Sequence, residues 1–339
     1  MPPSYADRLL TWFDDHGRKH LPWQQPRTPY RVWVSEIMLQ QTQVTVVVDY
    51  FTRFMTRFPS VESLASAQVD DVLSLWAGLG YYARGRNLHK AAQVLCEQYA
   101  GKLPADLAGL EALPGIGRST AGAIVSMGFD QPAPILDGNV KRVLARHAGI
   151  DGWPGRSAVA RQLWALAEDR LPSGRFADYS QASMDLGATV CTRHAPACHA
   201  CPLNADCVAH RSHRTHELPA PKPKANRKRR RSQLWLIRNE QGHYLLERRP
   251  PVGIWGGLWS LPEADDSATP PLALAEPPRP GPVLVHELTH FTWELCPMSA
   301  RARGAQAIAD GDNMSWYAPD NLPGVPAPIR RLIEEDRAP

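Results

Sequence analysis

No stretch of the 339 residues stays apolar for the roughly 18 positions that a membrane-spanning helix needs. The amino terminus also lacks the apolar core of a secretory signal. Charge of one sign is scarce, with a net of +4, and this excludes a protein built as a polyanion or polycation. An apolar fraction of 43% with 8% aromatics excludes disorder along the whole chain. The expectation is a soluble, cytoplasmic protein without a membrane partner, long enough for two or three domains.

The small excess of cations is unevenly placed. Residues 1–210 carry 20 Lys and Arg against 19 Asp and Glu, and residues 232–339 carry nine against 14. Residues 211–231 carry nine against one, in proline-punctuated polar sequence, so this stretch reads as a basic linker in contact with phosphates. Cysteine is also sparse. Four of the six stand together as Cys191, Cys198, Cys201 and Cys207, which in a reducing compartment points to a metal centre rather than disulfides. Zinc sites pair two short Cys-x2–4-Cys arms, and this run has one, so zinc is the weaker alternative. Four thiolates within 17 residues suit the corners of an iron–sulfur cubane. Cys96 and Cys296 stand alone and read as small buried apolar residues.

Through residue 210 the apolar spacing is helical, without strand signals. Residues 5–16 place Tyr5, Leu9, Trp12 and Phe13 on one face, with Ser4 as N-cap and Gly17 as stop. Between Tyr30 and Thr42, Glu36 has Val32 and Trp33 one turn before it and Ile37 beside it. A carboxyl held against apolar side chains keeps its proton to higher pH, as a general acid requires. Tyr81 and Tyr82 follow a glycine break and precede Arg84 and Arg86, a pattern for aromatic faces sliding against bases. Pro114-Gly115-Ile116-Gly117 is a tight turn that opens a helix rich in small residues, a cradle for phosphate. Asp137 follows on a short loop after two prolines, where its carboxylate can face whatever the cradle holds.

Beyond the linker the pattern changes to an α+β module. Two strands flank the Asn239–Gly242 turn, two more cover Val283–Leu288 and Phe291–Pro297, and a helix lies near 326–336.

Leu-Pro-Gly-Ile-Gly followed by Leu-Asp-Gly-Asn-Val resembles the helix-hairpin-helix with trailing aspartate of the endonuclease III superfamily of DNA glycosylases. Where lyase members carry a nucleophilic lysine, this chain has Ser119, which is similar to the adenine glycosylase branch, the MutY family. Leu-Pro-Trp and Ser-Glu-Ile-Met-Leu-Gln-Gln-Thr resemble that family's catalytic helix, and the cysteine spacing matches the superfamily's [4Fe–4S] loop. The Gly-Ile-Trp-Gly-Gly-Leu-Trp stretch resembles the family's Nudix-like domain, but no paired glutamates follow Glu263, so pyrophosphate hydrolysis is not expected.

The resemblance implies a multidomain chain. An all-α, two-lobed domain would have a six-helix barrel near 23–130 and a cluster lobe from 1–22 and 131–210. The basic linker 211–231 and a Nudix-like lesion-reading domain, 232–339, would follow. It implies removal of adenine mispaired with 8-oxoguanine or guanine in double-stranded DNA by a monomer. Glu36 would be the acid, and Asp137, ionised on a polar loop, would shield the sugar cation, with Asn139 fixing that loop or a water. Gly115, Gly117 and Ser119 would hold DNA at the hairpin, and Tyr81 and Gln41 would wedge into the duplex. Asp185, Trp23 and Lys19 (or Arg18) would meet the flipped base. Leu288, Thr289 and His290 would read the lesion, Leu288 departing from the family's aromatic residue. Cys191, Cys198, Cys201 and Cys207 would hold the cluster. A bifunctional pyrimidine glycosylase/lyase and a non-catalytic iron–sulfur DNA-binding protein are the alternatives, and Ser119 and the carboxy-terminal module speak against the first.

Overall fold

A computed structural model describes residues 3–223, 228–250, 253–264, 269–288, 291–304 and 313–337. Helices α1 (Tyr5–His16), α2 (Pro29–Leu39), α3 (Val44–Arg57), α4 (Val61–Ala65), α5 (Val69–Trp76) and α6 (Ala83–Tyr99) come first. Then follow α7 (Leu107–Glu111), α8 (Arg118–Ala123), α9 (Gly138–Ala148), α10 (Ser157–Asp169), α11 (Phe176–Asp185) and the short α12 (Val208–Arg211). Among the described residues strands begin only at Lys228. No described helix is long and apolar enough to cross a membrane.

The chain divides into two units, Met1–Ala67 with Asn87–Lys224, and Gln68–Arg86 with Ala225–Pro339. In the first, α1 has the boundaries its sequence announces. Ser4 and Asp7 form a reciprocal capping box, and Gly17 ends the helix; such a cap is worth about 1 kcal/mol. Its apolar face, Leu9, Leu10, Trp12 and Phe13, packs with Tyr179, Ala182, Leu186 and Val190, and with Leu203 of the cysteine loop. Arg8 adds a two-pronged ion pair to Asp206, both bonds 2.8 Å. The segments expected to assemble into a cluster lobe therefore share one core.

Helix α2 is apolar on nearly every side. Thr28 caps it, Pro29 opens it, and Val32, Trp33, Val34, Ile37 and Met38 are all buried. Helices α8 and α11 each run on into a π-helical turn, Ile124–Gly128 and Leu186–Val190, a distortion common where helices serve a site. Buried Ser126 and Ser180 share a 2.8 Å hydrogen bond.

The second unit carries β1 (Lys228–Arg238), β2 (Tyr244–Arg248), β3 (Trp259–Ser260), β4 (Glu263–Ala264), β5 (Arg279–Pro280), β6 (Leu284–Glu287), β7 (Phe291–Arg301) and β8 (Met314–Tyr317). They form one sheet whose main path runs β3-β2-β1-β7-β5. β1 and β7 are parallel over their whole length, Lys228 opposite Phe291 through Arg238 opposite Arg301. Side chains alternate across the sheet. Leu234, Leu236, Tyr244 and Leu246 face helix α13 (Ala327–Arg337), which inserts Ile329, Leu332 and Ile333. Trp235, Ile237 and Leu245 pack on the other face.

Two expectations change here. The basic linker does not extend to residue 231, because Lys228–Arg231 are the first four residues of β1, paired with Phe291–Glu294. Arg229 meets Glu294 at 3.1 Å and Arg230 meets Glu263 at 2.6 Å, so part of that charge is balanced within the protein. Gln68–Arg86, expected in the six-helix barrel, clusters instead with the carboxy-terminal unit.

Candidate active site

Glu36 lies on α2 among the buried side chains of Val32, Trp33, Ile37 and Met38, and the residue as a whole is half-buried. Burial, reinforced by the nearby Asp137 carboxylate, pushes its pKa up to about 8 from the ordinary 4.5. A side chain predicted to be an acid held in an apolar niche is therefore protonated near neutrality.

Asp137 is the N-cap of α9, a position its side chain fills by accepting from Val140 N–H at 2.8 Å. Its other oxygen accepts from Asn139 Nδ2 at 3.2 Å. Burial raises its pKa, while the Val140 and Asn139 N–H groups and the Arg142 guanidinium pull it back down. The expectation of an acid kept ionised by a wet loop is corrected. Desolvation acts on Asp137 too, and it outweighs the opposing donors, so its pKa lies above the ordinary carboxylate value.

Arg142 extends this arrangement. Its guanidinium donates to Asn139 Oδ1 (2.9 Å), Gly187 O (2.6 Å) and Cys191 O (2.7 Å). Gly187 has no room for a side chain, since a Cβ there would stand 2.6 Å from Asn139 Cβ. Sequence reasoning passed over Arg142. Its spacing of one helical turn from Gly138 and Asn139 was the available signal.

Ser119 also takes a definite part. Its Oγ accepts from Leu136 N–H at 3.0 Å, tying the start of α8 to the residue before Asp137. Gly122 on α8 faces Pro134 O so closely that no Cβ fits. At the hairpin, Gly115 adopts φ +81° and abuts Asn87, whereas a Cβ on Gly117 would meet nothing within 4 Å. Gly117 is the N-cap of α8, and bare backbone faces open space there.

The remaining residues are less uniform. Tyr81 is 51% exposed at φ +48°, and Gln41 is exposed at φ +59°. Positive φ is uncommon outside glycine, so both intercalator candidates stand on strained backbone. Asp185, expected to touch a base, is sealed with 0% exposure. It accepts from Arg18 N (2.8 Å), Nε (2.9 Å) and Nη2 (2.7 Å), and from Gln181 Nε2 (2.8 Å). Those four donors occupy the carboxylate, and the Asp185–Arg18 pair is a strut between the chain after α1 and α11. Lys19 is exposed, with Nζ 2.6 Å from Asp14 O. Trp23 is 4% exposed with its ring edge-on to Phe51, so it packs in the core of this unit. Leu288 packs against the core of the second unit and its N–H meets Phe291 O at 3.0 Å, so it does not project as an apolar plug. Thr289 and His290 lie outside the described residues.

The four clustered cysteines are free thiols and line one cavity with Val143, Arg146, His147, Val190 and Leu203. Arg146, 3% exposed, places Nη1 3.4 Å from Cys191 Sγ and 2.6 Å from Thr192 O. In the second unit Glu263, the single Nudix-type glutamate the sequence retains, accepts from Ser232 Oγ (2.7 Å), Arg230 (2.6 Å) and Arg249 (2.8 Å). Two guanidinium groups thus pair with the Glu263 carboxylate.

Residues 34–169 match the HhH-GPD superfamily of base excision DNA repair proteins, and residues 233–335 match the NUDIX domain. An adenine DNA glycosylase of Buchnera aphidicola (subsp. Schizaphis graminum) is 34% identical over 340 residues, covering 97% of this chain and 98% of its own. The human adenine DNA glycosylase is 45% identical over 215 residues, 61% of this chain and 39% of that protein. Among solved structures, a thermostable thymine-DNA glycosylase superposes with a TM-score of 0.55 at 25% identity, covering 61% of this chain and 95% of that one. A trapped endonuclease III–DNA intermediate shares the same helical fold, with a TM-score of 0.53 at 22% identity over 61% of this chain and 94% of that one.

Proposed function

This chain belongs to the adenine DNA glycosylase family, and from that premise we propose how its residues release adenine mispaired with 8-oxoguanine or guanine in double-stranded DNA. The observation that carries the reading is a pair of buried acids in unequal settings, Glu36 among apolar side chains and Asp137 among hydrogen-bond donors. Burial pushes the Glu36 pKa up to about 8, and although burial raises the Asp137 pKa too, the donors of Val140, Asn139 and Arg142 oppose that rise. Environments that separate the protonation of two carboxyls assign them to acid and counter-charge, as in glycoside hydrolysis.

Glu36 donates its proton to adenine N7. The N9–C1′ bond then breaks, and its electron pair leaves with the base. The cation at C1′ is stabilised by Asp137 and consumed by water, whose released proton restores Glu36. Asn139 and Arg142 hold Asp137 in place, and Ser119 fixes the same loop from α8. A serine whose hydroxyl already serves Leu136 N–H offers no amine for a Schiff base, which supports base removal without strand cleavage. Extruding the base costs a few kcal/mol, on the order offset by Tyr81 and Gln41 entering the stack and by phosphate at Gly115 and Gly117. Thr289 and His290 carry the reading of the oxidised partner, and the protein acts as a cytoplasmic monomer.

The donor set suits an iron–sulfur centre: four free thiols around one cavity, with a buried guanidinium directed at a sulfur. Cys191, Cys198, Cys201 and Cys207 would hold a [4Fe–4S] cluster, whose four thiolate bonds would cross-link the segment 191–207 to itself.

The decisive test is incubation with an adenine:8-oxoguanine duplex, then alkali and a denaturing gel. Strand scission after alkali, and its absence without alkali, is the expected result. Intact strands in both lanes overturn the reading. Substituting Thr289 and His290 together is expected to erode the preference for 8-oxoguanine over guanine, and an unchanged ratio places lesion reading elsewhere.

A further inference from the structure

The segment that carries Tyr81 belongs to the same unit as the carboxy-terminal sheet, and Arg86 makes one of the contacts that join them. Arg86 lies in the first turn of α6. Its backbone N–H bonds Tyr82 O at 3.1 Å, and its guanidinium donates a short hydrogen bond to Gly256 O. It is half-buried there, and desolvation lowers its pKa from the ordinary arginine value.

The acceptor sits among several defined contacts. Gly253, Trp255 and Gly257 all have positive φ, at 101°, 56° and 74°, which fixes the direction of the Gly256 carbonyl. Arg249 Nε holds Ile254 O at 3.0 Å, and Gly257 N–H bonds Pro250 O at 3.0 Å. Trp255 stacks on Trp293 with centroids 4.8 Å apart. On the other side of Arg86 the wedge loop is drawn tight from within. Arg84 donates to Leu79 O (3.0 Å) and Gly80 O (3.1 Å), and Trp76 Nε1 to Gly80 O (3.2 Å). The exposed Arg248–Asp70 pair at 3.0 Å adds a second, weaker tie.

We propose that Arg86 is a positioning residue. By holding Gly256 it fixes the Tyr81 loop in its strained, outward conformation, so that the Nudix-like domain acts on base extrusion as well as on lesion reading. An exposed aromatic at positive φ relaxes inward unless its surroundings hold it. A charge-assisted hydrogen bond from a half-buried guanidinium to the Gly256 carbonyl is such a hold. The proposal rests on the adenine-excision reading.

The test is a double-mutant cycle on the full chain, read by single-turnover excision and by fluorescence of 2-aminopurine placed at the adenine position. Arg86→Ala is expected to slow excision and weaken the extrusion signal about tenfold, the scale of one lost charge-assisted hydrogen bond. Arg86→Lys, which restores one donor, is expected to recover most of the loss. In a Tyr81→Ala background, Arg86→Ala is expected to cost nothing further, because both changes remove the same wedge. Gly257→Ala, strained at φ +74°, approaches the contact from the sheet side and is expected to be non-additive with Tyr81→Ala in the same way. Losses that add in full, or an extrusion signal unchanged in Arg86→Ala, overturn the proposal while normal wild-type excision leaves the parent reading standing. Absent wild-type excision removes the parent reading itself.

Discussion

Replacing Glu36 by Gln removes the acid while keeping the shape of the side chain, and the structure makes it both inactivating and stabilising. A carboxyl whose pKa is higher in the folded than in the unfolded chain stabilises the fold fully below its unfolded value of 4.5. That contribution is lost as pH climbs through the folded value of about 8. Over that window each pH unit removes about 1.4 kcal/mol from the wild type and nothing from the amide variant, an upper bound of about 5 kcal/mol. The partial access of Glu36 to water reduces this to about 2–3 kcal/mol, or a Tm gain of roughly 4–12 °C for a unit of this size. The assay is thermal unfolding of both proteins at pH 4.5, 6.5 and 8.5, with the alkali-gel excision assay at each. The variant is expected to melt with the wild type at pH 4.5, to melt progressively higher as pH rises, and to release no adenine at any pH. A Tm difference independent of pH, or normal turnover by the variant, refutes the argument that an apolar turn holds the proton on Glu36.

Wild-type single-turnover excision is expected to fall tenfold per unit as pH rises beyond about 8, where Glu36 loses its proton, and to fall again in acid as Asp137 gains one; a rate flat from pH 6 to 10 excludes this pairing. Ser119→Ala leaves Leu136 N–H without its acceptor, costing about 1–3 kcal/mol and slowing excision more than DNA binding, as kcat and Kd measured side by side will show. Borohydride is expected to trap no covalent DNA adduct with the wild type. Gly122→Ala drives a methyl into Pro134 O and is expected to destabilise by about 1–3 kcal/mol in urea unfolding, with loss of activity through the displaced Asp137 loop. Cys201→Ala is expected to lower bound iron and the stability of the α1 and α11 core together, and full iron content in that variant excludes Cys201 as a ligand.

What the chain order alone determined here is whatever depends on neighbours a few positions away. The reciprocal cap of Ser4 and Asp7, the stop at Gly17, the four-cysteine spacing, the Gly115–Gly117 turn and the apolar setting of Glu36 are of this kind, because a turn of helix or a tight loop brings such residues together however the rest folds. Tertiary structure decided the cases where a charge finds a distant partner. Asp185 reads as a base contact until Arg18 closes over it, and Lys228–Arg231 read as linker until Phe291–Glu294 supply a parallel strand. Asp137 looks solvated until burial is set against the donors of Val140, Asn139 and Arg142. Burial and pairing of an ionised group depend on what packs against it from elsewhere in the chain, and that is fixed only when the whole unit has folded.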